Sequence, residues 1–262
     1  MTKGQKSLPS LNFKKPPVVE AWIEFYFDLS EEEIPWTEAD ATTFIKENFP
    51  DYIPRDCEYF AKVQVDSRGK SDFSKIDKSF NRIRAFTKDG QYCIQAGRNV
   101  LIFNQINKGN WPGYEMMREK AFEVLRKYSS YRHFENLLNT CLHYRDVISI
   151  PRESEEIELK DYFKIYPHLE KSFGDFCDLK LELVLPQSCK KGITFFSFFG
   201  LPKVADSDKN FKFQMDWHIN PSDDQRKSFN AVKDWLDTVH SDLRVRFKET
   251  FTIKTMEIFR GK

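Results

Sequence analysis

The 262-residue sequence has no run of 18 apolar residues, and Met1 to Ser10 are polar and lysine-bearing with no apolar stretch of seven. A helix needs about 20 apolar residues to cross a bilayer, so neither a membrane span nor a signal peptide is expected. An excess of one charge is also missing, since 41 Lys and Arg face 40 Asp and Glu. Divided at Pro151, the first 150 residues carry 22 basic and 21 acidic groups and the remainder 19 of each. Neither half is a nucleic-acid or membrane-surface domain by composition, and nucleic-acid contact would need a local patch. Cysteine is scarce. Cys57, Cys93, Cys141, Cys177 and Cys189 are odd in number and include no C-x-x-C, which suits free thiols in a reducing, cytoplasmic compartment better than disulfides or zinc.

Several motifs are lacking too. No G-x-G-x-x-G, H-E-x-x-H or G-x-S-x-G occurs, which removes the usual warrants for dinucleotide, zinc-protease and serine-hydrolase chemistry. Gly69-Lys70-Ser71 resembles the tail of a phosphate loop, but Gln64 stands where that loop needs a glycine, so a polar loop is expected. Arg126 and His133 match the loose Arg-x(4 to 6)-His spacing of HEPN ribonucleases. That fold is all-helical, whereas this pair falls where a helix gives way to a strand in a strand-rich chain, and a chance match is the reading taken. No catalytic residue, metal ligand or cofactor is assigned.

What is present is a folded chain, with 40% apolar and 15% aromatic residues, enough for a sizeable core. After Pro16-Pro17, the run from Glu20 to Asp28 alternates, with Ala21, Ile23, Phe25 and Phe27 on one face and Glu20, Trp22, Glu24, Tyr26 and Asp28 on the other; this is a half-buried strand. A helix is expected near Thr37 to Asn48, then strands at 58–65, 82–87, 92–96 and 99–106, with turn signals at Lys88-Asp89-Gly90 and Gly97-Arg98-Asn99. Tight turns make consecutive strands antiparallel. From Pro112, Tyr114, Met117, Ala121, Val124, Leu125 and Tyr128 recur at helical spacing, which predicts an amphipathic helix. A strand at 137–150 and a charged linker, 152–176, follow. Alternating runs at 179–185, 193–199 and 211–219 then precede a long helix, its start read at the capping-box spacing Ser222 to Gln225 and its apolar stripe at Phe229, Val232, Leu236, Val239 and Leu243. The fold class expected is α+β: two antiparallel-meander lobes, 1–151 and 177–262, each under a long amphipathic helix, either as separate lobes or as one unit.

Candidate binding residues follow from strand faces. Glu20, Glu24 and Asp28 stand about 13 Å apart in successive pairs, too far for direct acid/base partnership, and a groove with Trp22 and Tyr26 as platforms competes with a salt-bridged outer face. Arg82 and Arg84 share a face with Phe86; with Arg98 and Arg145 they could make a basic, aromatic-flanked patch for phosphate or RNA, or pair with carboxylates such as Glu24 and Asp28. The histidines His133, His143, His168, His218 and His240 show no ligand spacing. His240 reads as a core-edge residue, and His218, on a polar face with Gln214 and Asp216, as the more accessible one. Phe195, Phe196, Phe198 and Phe199 occupy both faces of one strand, so both faces should be covered, one by a helix and the other by a domain, subunit or ligand.

Pro16-Pro-Val-Val-Glu20, Gln95-Ala-Gly-Arg-Asn-Val-Leu-Ile-Phe103, Trp111-Pro-Gly-Tyr-Glu115, the stretch Tyr144 to Pro151, and the last helix with His240 and Phe247 together resemble the "sporadically distributed" bacterial protein family of about 250 to 280 residues. Where that family carries an Asn-Arg step, this chain has Arg145-Asp146-Val147. The resemblance assigns no activity to any residue, and its patchy distribution implies defence or toxin–antitoxin neighbourhoods. The sequence therefore leads to a non-catalytic accessory or sensor protein that binds a protein partner, itself or a small ligand, with Arg82, Arg84, Arg145, His218, Trp22 and Tyr26 as candidate contacts. A nucleic-acid or nucleotide-processing enzyme and a holdase for extended peptides are the alternatives.

Overall fold

Alternation of apolar and polar residues dictates sheet strands with two unlike faces, and the computed structural model builds one nine-stranded antiparallel sheet from them. It describes residues 13–27, 36–65, 71–134, 136–152, 156–166, 179–187, 192–202, 209–221 and 227–261. In chain order the elements are β1 (Val18–Tyr26), α1 (Glu38–Asn48), β2 (Tyr52–Val65), β3 (Ser71–Thr87), β4 (Tyr92–Gly97), β5 (Val100–Ile106), α2 (Tyr114–Arg132), β6 (Asn136–Leu137), β7 (Asn139–Pro151), α3 (Leu159–Tyr162), β8 (Lys180–Pro186), β9 (Gly192–Gly200), β10 (Asn210–Pro221), β11 (Lys227–Ser228), α4 (Phe229–Thr250) and α5 (Ile253–Arg260). The sheet order is β2-β3-β4-β5-β1-β7-β10-β9-β8, and β6 pairs with β11 apart from it. The class is α+β, as the alternation implies. Strands from before and after Pro151 share the sheet, because β7 pairs with β10 from Asn210↔Pro151 to Ile219↔Leu142.

One face carries the core. Ala21, Ile23 and Phe25 of β1, Leu142 and Ile148 of β7, and Met215, Trp217 and Ile219 of β10 are buried together with Phe44 and Ile45 of α1, Met117, Leu125 and Tyr128 of α2, and Leu236 and Val239 of α4. The helices begin where local chemistry sets them. Thr37 caps α1 in a capping box with Asp40, satisfying otherwise orphaned N–H groups. Gly113, at φ 99, precedes α2 in a conformation that side chains with a Cβ rarely adopt. At Gly97 a Cβ would stand 2.7 Å from the carbonyl oxygen of Asn81, while its own carbonyl accepts from Tyr128 Oη at 2.6 Å.

Two expectations change. The long C-terminal helix starts at Phe229 with Ser228 as its cap, accepting from Ala231 N; Lys227–Ser228 is a strand, so Ser222 cannot open that helix, and Ser222 to Gln225 lie outside the described residues. The segment expected to link the halves contributes Tyr162 and Phe163 to the core, and Phe163 bridges to Phe251. Of the cysteines, Cys57, Cys93 and Cys141 are free thiols; Cys177 and Cys189, like His168, Asp28, Gly69 and Lys70, lie outside the described residues. No described helix is long and apolar enough to cross a membrane.

Met117 is fully buried on the sheet-facing side of α2. Met117→Asp should therefore cost about 3 kcal/mol or more, since it leaves an unpaired charge in the core. Thermal unfolding should shift downward by roughly 6 °C or more for a chain of this size; an unchanged midpoint would mean that α2 turns a different face to the sheet.

Candidate functional site: the sheet face opposite the helices

Antiparallel register places directly paired residues on one side of the sheet. Trp22 pairs with Asn104 on one side and His143 on the other, His143 with His218, His218 with Phe195, and Phe195 with Val184. These residues form one row across β5, β1, β7, β10, β9 and β8, on the face away from the core cluster. Trp22 and His143 stack with centroids 4.5 Å apart and planes within 6°. His143 and His218 follow at 4.0 Å, and His218 and Phe195 at 5.7 Å. The row ends in side chains left to solvent, Phe195 at 42% and Val184 at 64% exposure.

The flanking rows supply charge. On one side, Glu20, Arg145 and Asp216 line up, with Arg145 Nε donating to Asp216 Oδ1 at 2.9 Å and its guanidinium 5.7 Å from the Trp22 ring centre. Glu20 accepts from Asn104 at 2.9 Å. On the other side, Glu24 pairs with Cys141. Its carboxylate accepts from Trp22 Nε1 at 3.0 Å and Tyr26 Oη at 2.5 Å, with His143 Nε2 at 3.5 Å. Burial alone would raise the Glu24 pKa, but His143, Tyr26 and Trp22 outweigh it and hold the group down at about 2. Burial pushes the Cys141 thiol up to about 12, with the Glu24 charge adding to it. It also lowers the His218 pKa, helped by His143; the thiol and the His218 imidazole thus share partly desolvated surroundings on this face of the sheet.

That cluster contains a donor set that spacing along the chain hides. Cys141 and His143 are two residues apart on β7 and so face the same way, and His218 is the cross-strand partner of His143. One ligand atom from each of the three lies within 4.8 Å of the other two, which is the chemistry of a site for a borderline-soft cation. The expectation that no histidine has ligand spacing holds along the chain but not across the paired strands.

The candidate contacts divide into two groups. His218 belongs to the cluster, with Trp22, Tyr26 and Arg145 around it. Arg82 and Arg84 lie on the same sheet face but four strand steps from Arg145, about 19 Å away, so the two ends do not converge on one phosphate. Their carboxylate partner is Glu58 of β2, at 2.5 Å from Arg82 Nε and 2.6 Å from Arg84 Nη2, rather than Glu24 of β1, because β3 pairs with β2 and β4. Phe196 and Phe198 point into the core, whereas Phe195 is exposed, so the second face of that strand is not covered as expected.

A second polar cluster lies between the sheet and the helices. Tyr114 of α2 stacks on His240 of α4 at 3.7 Å and its hydroxyl donates to Asp237 at 3.0 Å, which also takes Arg118. Tyr144 of β7 shares a 3.0 Å hydrogen bond with His240 Nδ1. Burial drives the His240 pKa down to about 3, with Arg244 and Arg118 adding to it, so the ring is neutral and acts in the core as a hydrogen-bonding aromatic. Asp146, 4% exposed, faces this layer. Burial and the neighbouring Asp216 push it up to about 7 against the opposing effect of the Trp217 indole.

A carboxyl raised from 3.8 to about 7 by folding contributes stability at acid pH that is lost as pH rises through that interval. Asp146→Asn removes the titration, so its melting temperature relative to the parent should climb as pH goes from 4 to 8; a constant difference would show that Asp146 is ionised in the folded chain. Along the sheet, Arg82 and Arg84 already share the Glu58 carboxylate. Anisotropy titrations with single-stranded RNA and DNA at low salt should detect no micromolar binding. Binding lost in Arg82→Ala/Arg84→Ala would restore the phosphate patch.

Neither a scan against protein-family models nor a search of curated proteins gave a match for this chain.

Proposed function

We propose that this is a non-catalytic binding protein, an accessory or sensor, that docks a protein partner on the sheet face opposite its helices. The observation that carries this reading is the row Trp22, His143, His218, Phe195 and Val184, which starts in stacked rings and ends in apolar side chains exposed to solvent. Aromatic side chains bring large contact area at low entropic cost, and interfaces surround such centres with polar groups. Glu20, Arg145 and Asp216 form that rim here. Ile193, 37% exposed, extends the apolar end beside Phe195. The two-lobed division belongs to this proposal, and the row crosses from one half of the chain to the other where β7 meets β10. A bacterial, cytoplasmic setting in a defence or toxin–antitoxin locus, which the family resemblance implies, suits a sensor or accessory role. A phosphate-processing enzyme is the weaker reading, since Arg82 and Arg84 share Glu58 and stand apart from Arg145.

The test pairs Val184→Glu with Phe195→Asp, both on exposed positions where the fold should survive. Immobilised parent protein should retain partners from its native extract that the double variant loses, and sedimentation of the pure parent should show whether a second copy is the partner. Identical retention by parent and double variant, with identical sedimentation, would place any docking surface elsewhere.

A further inference from the structure

We propose that Cys141, His143 and His218 bind a single zinc-class divalent ion, leaving a fourth coordination position open to solvent or to a ligand atom. This goes beyond the partner-binding reading and does not rest on it. The ligand atoms already lie within 4.8 Å of one another. In a tetrahedral zinc site, with Zn–S about 2.3 Å and Zn–N about 2.0 to 2.1 Å, neighbouring ligand atoms stand about 3.3 to 3.6 Å apart. Closing that gap asks for side-chain rotation of about 1 Å. The strands themselves need not move, because β1, β7 and β10 are locked by continuous pairing.

A second observation points the same way. His143 has a side-chain exposure of 7%, yet its Nε2 makes no hydrogen bond within proper geometry. Buried imidazole nitrogens are almost always satisfied, and an exception asks for a reason. Two adjacent imidazoles and a thiol have little to offer one another, whereas a cation gives all three a common partner. The surroundings are those of a metal-bound histidine pair. Glu24 Oε1 is 3.5 Å from His143 Nε2, and Asn220 Oδ1 is 2.5 Å from His218 Nε2. An amide oxygen in such a place orients a metal-bound imidazole: Asn220 takes His218 Nε2 and leaves its Nδ1 for the ion, while His143 Nε2, with no hydrogen bond of its own, is the nitrogen that ring offers. Both Glu24 oxygens are occupied by Trp22 and Tyr26, which keeps Glu24 as the outer carboxylate and leaves the fourth position free.

The charges balance as well. On binding, the Cys141 S–H bond breaks, its proton passes to solvent and a metal–sulfur bond forms. The thiolate and the Glu24 carboxylate then offset the double positive charge without a further counterion. The sulfur–imidazole set favours zinc-class ions over magnesium or calcium, which take oxygen donors.

The experiment titrates the reduced full-length protein with Zn2+ by calorimetry and with Co2+ by absorption spectroscopy. One equivalent should bind. The cobalt form should show the intense visible bands of tetrahedral Co2+ and a thiolate-to-cobalt charge-transfer band. Zn2+ should raise the melting temperature by mass action. Cys141→Ser should lose the charge-transfer band, and His218→Gln, on a half-buried strand position, should weaken binding at least tenfold, since loss of an outer-shell partner alone costs about 10- to 100-fold. Cys93→Ser should bind as the parent does. Circular dichroism of each metal-free variant separates lost ligation from lost folding. The proposal is overturned by a parent that binds neither ion at micromolar concentration, or by binding that persists unchanged in both the Cys141 and the His218 variants.

Discussion

Hydrogen-bonded pairing of β7 with β1 on one side and β10 on the other sets the positions of nearly everything else. Because side chains alternate along β7, its backbone fixes two layers at once. Leu142, Tyr144, Ile148 and Ile150 turn towards α2, α4 and the core, while Cys141, His143 and Arg145 turn to the opposite face. A slip of one residue at either seam would carry the thiol and imidazole into the helix layer and expose the core positions. Burial of the core row therefore holds the opposite row in register, and the cluster of Cys141, His143 and His218 needs no scaffold of its own.

The two faces differ in how they are stabilised. The helix-covered face relies on area: aromatic and aliphatic side chains from both halves of the chain join one cluster, each fully buried residue contributing roughly 1.5 to 3 kcal/mol. The opposite face relies on stacking and hydrogen bonds among half-buried groups, each modest in net contribution. Among the described residues its rings and carboxylates are held by neighbours on adjacent strands.

How much of this the sequence displays depends on whether the information is local. The stripe Tyr114, Met117, Ala121, Val124, Leu125 and Tyr128 is legible because a helix makes its own neighbours, and all six are buried; the faces of β1 follow in the same way from alternation. The order of the strands is not local. Nothing along the chain says that β7 enters between β1 and β10, and without that Cys141, His143 and His218 remain three separate residues. The same gap explains Arg82 and Arg84: their face is readable, but Glu58 becomes their partner only once β2 is known to lie beside β3. The cap of α4 is ambiguous in the sequence for a different reason, since Ser222-Asp-Asp-Gln225 and Ser228 both offer capping side chains and pairing of Lys227–Ser228 with β6 selects the second.

Asp146 and His240 lie on the same side of the sheet with opposite titration behaviour, and together they make folding a proton relocation. In the unfolded chain between about pH 4 and 6.5, an aspartate near its ordinary 3.8 is ionised and a histidine near 6.5 is protonated. In the folded chain the carboxyl holds its proton up to about 7 and the imidazole stays neutral down to about 3. Each copy that folds in this interval transfers one proton's worth of charge from imidazole to carboxyl without net exchange with the solvent. The pair is then silent in the pH dependence of stability, although each member alone would be conspicuous. Asp146 and the half-buried His240 are thereby accommodated as a neutral acid and a neutral base, and within that interval the destabilising effect of acid through His240 is offset by its stabilising effect through Asp146.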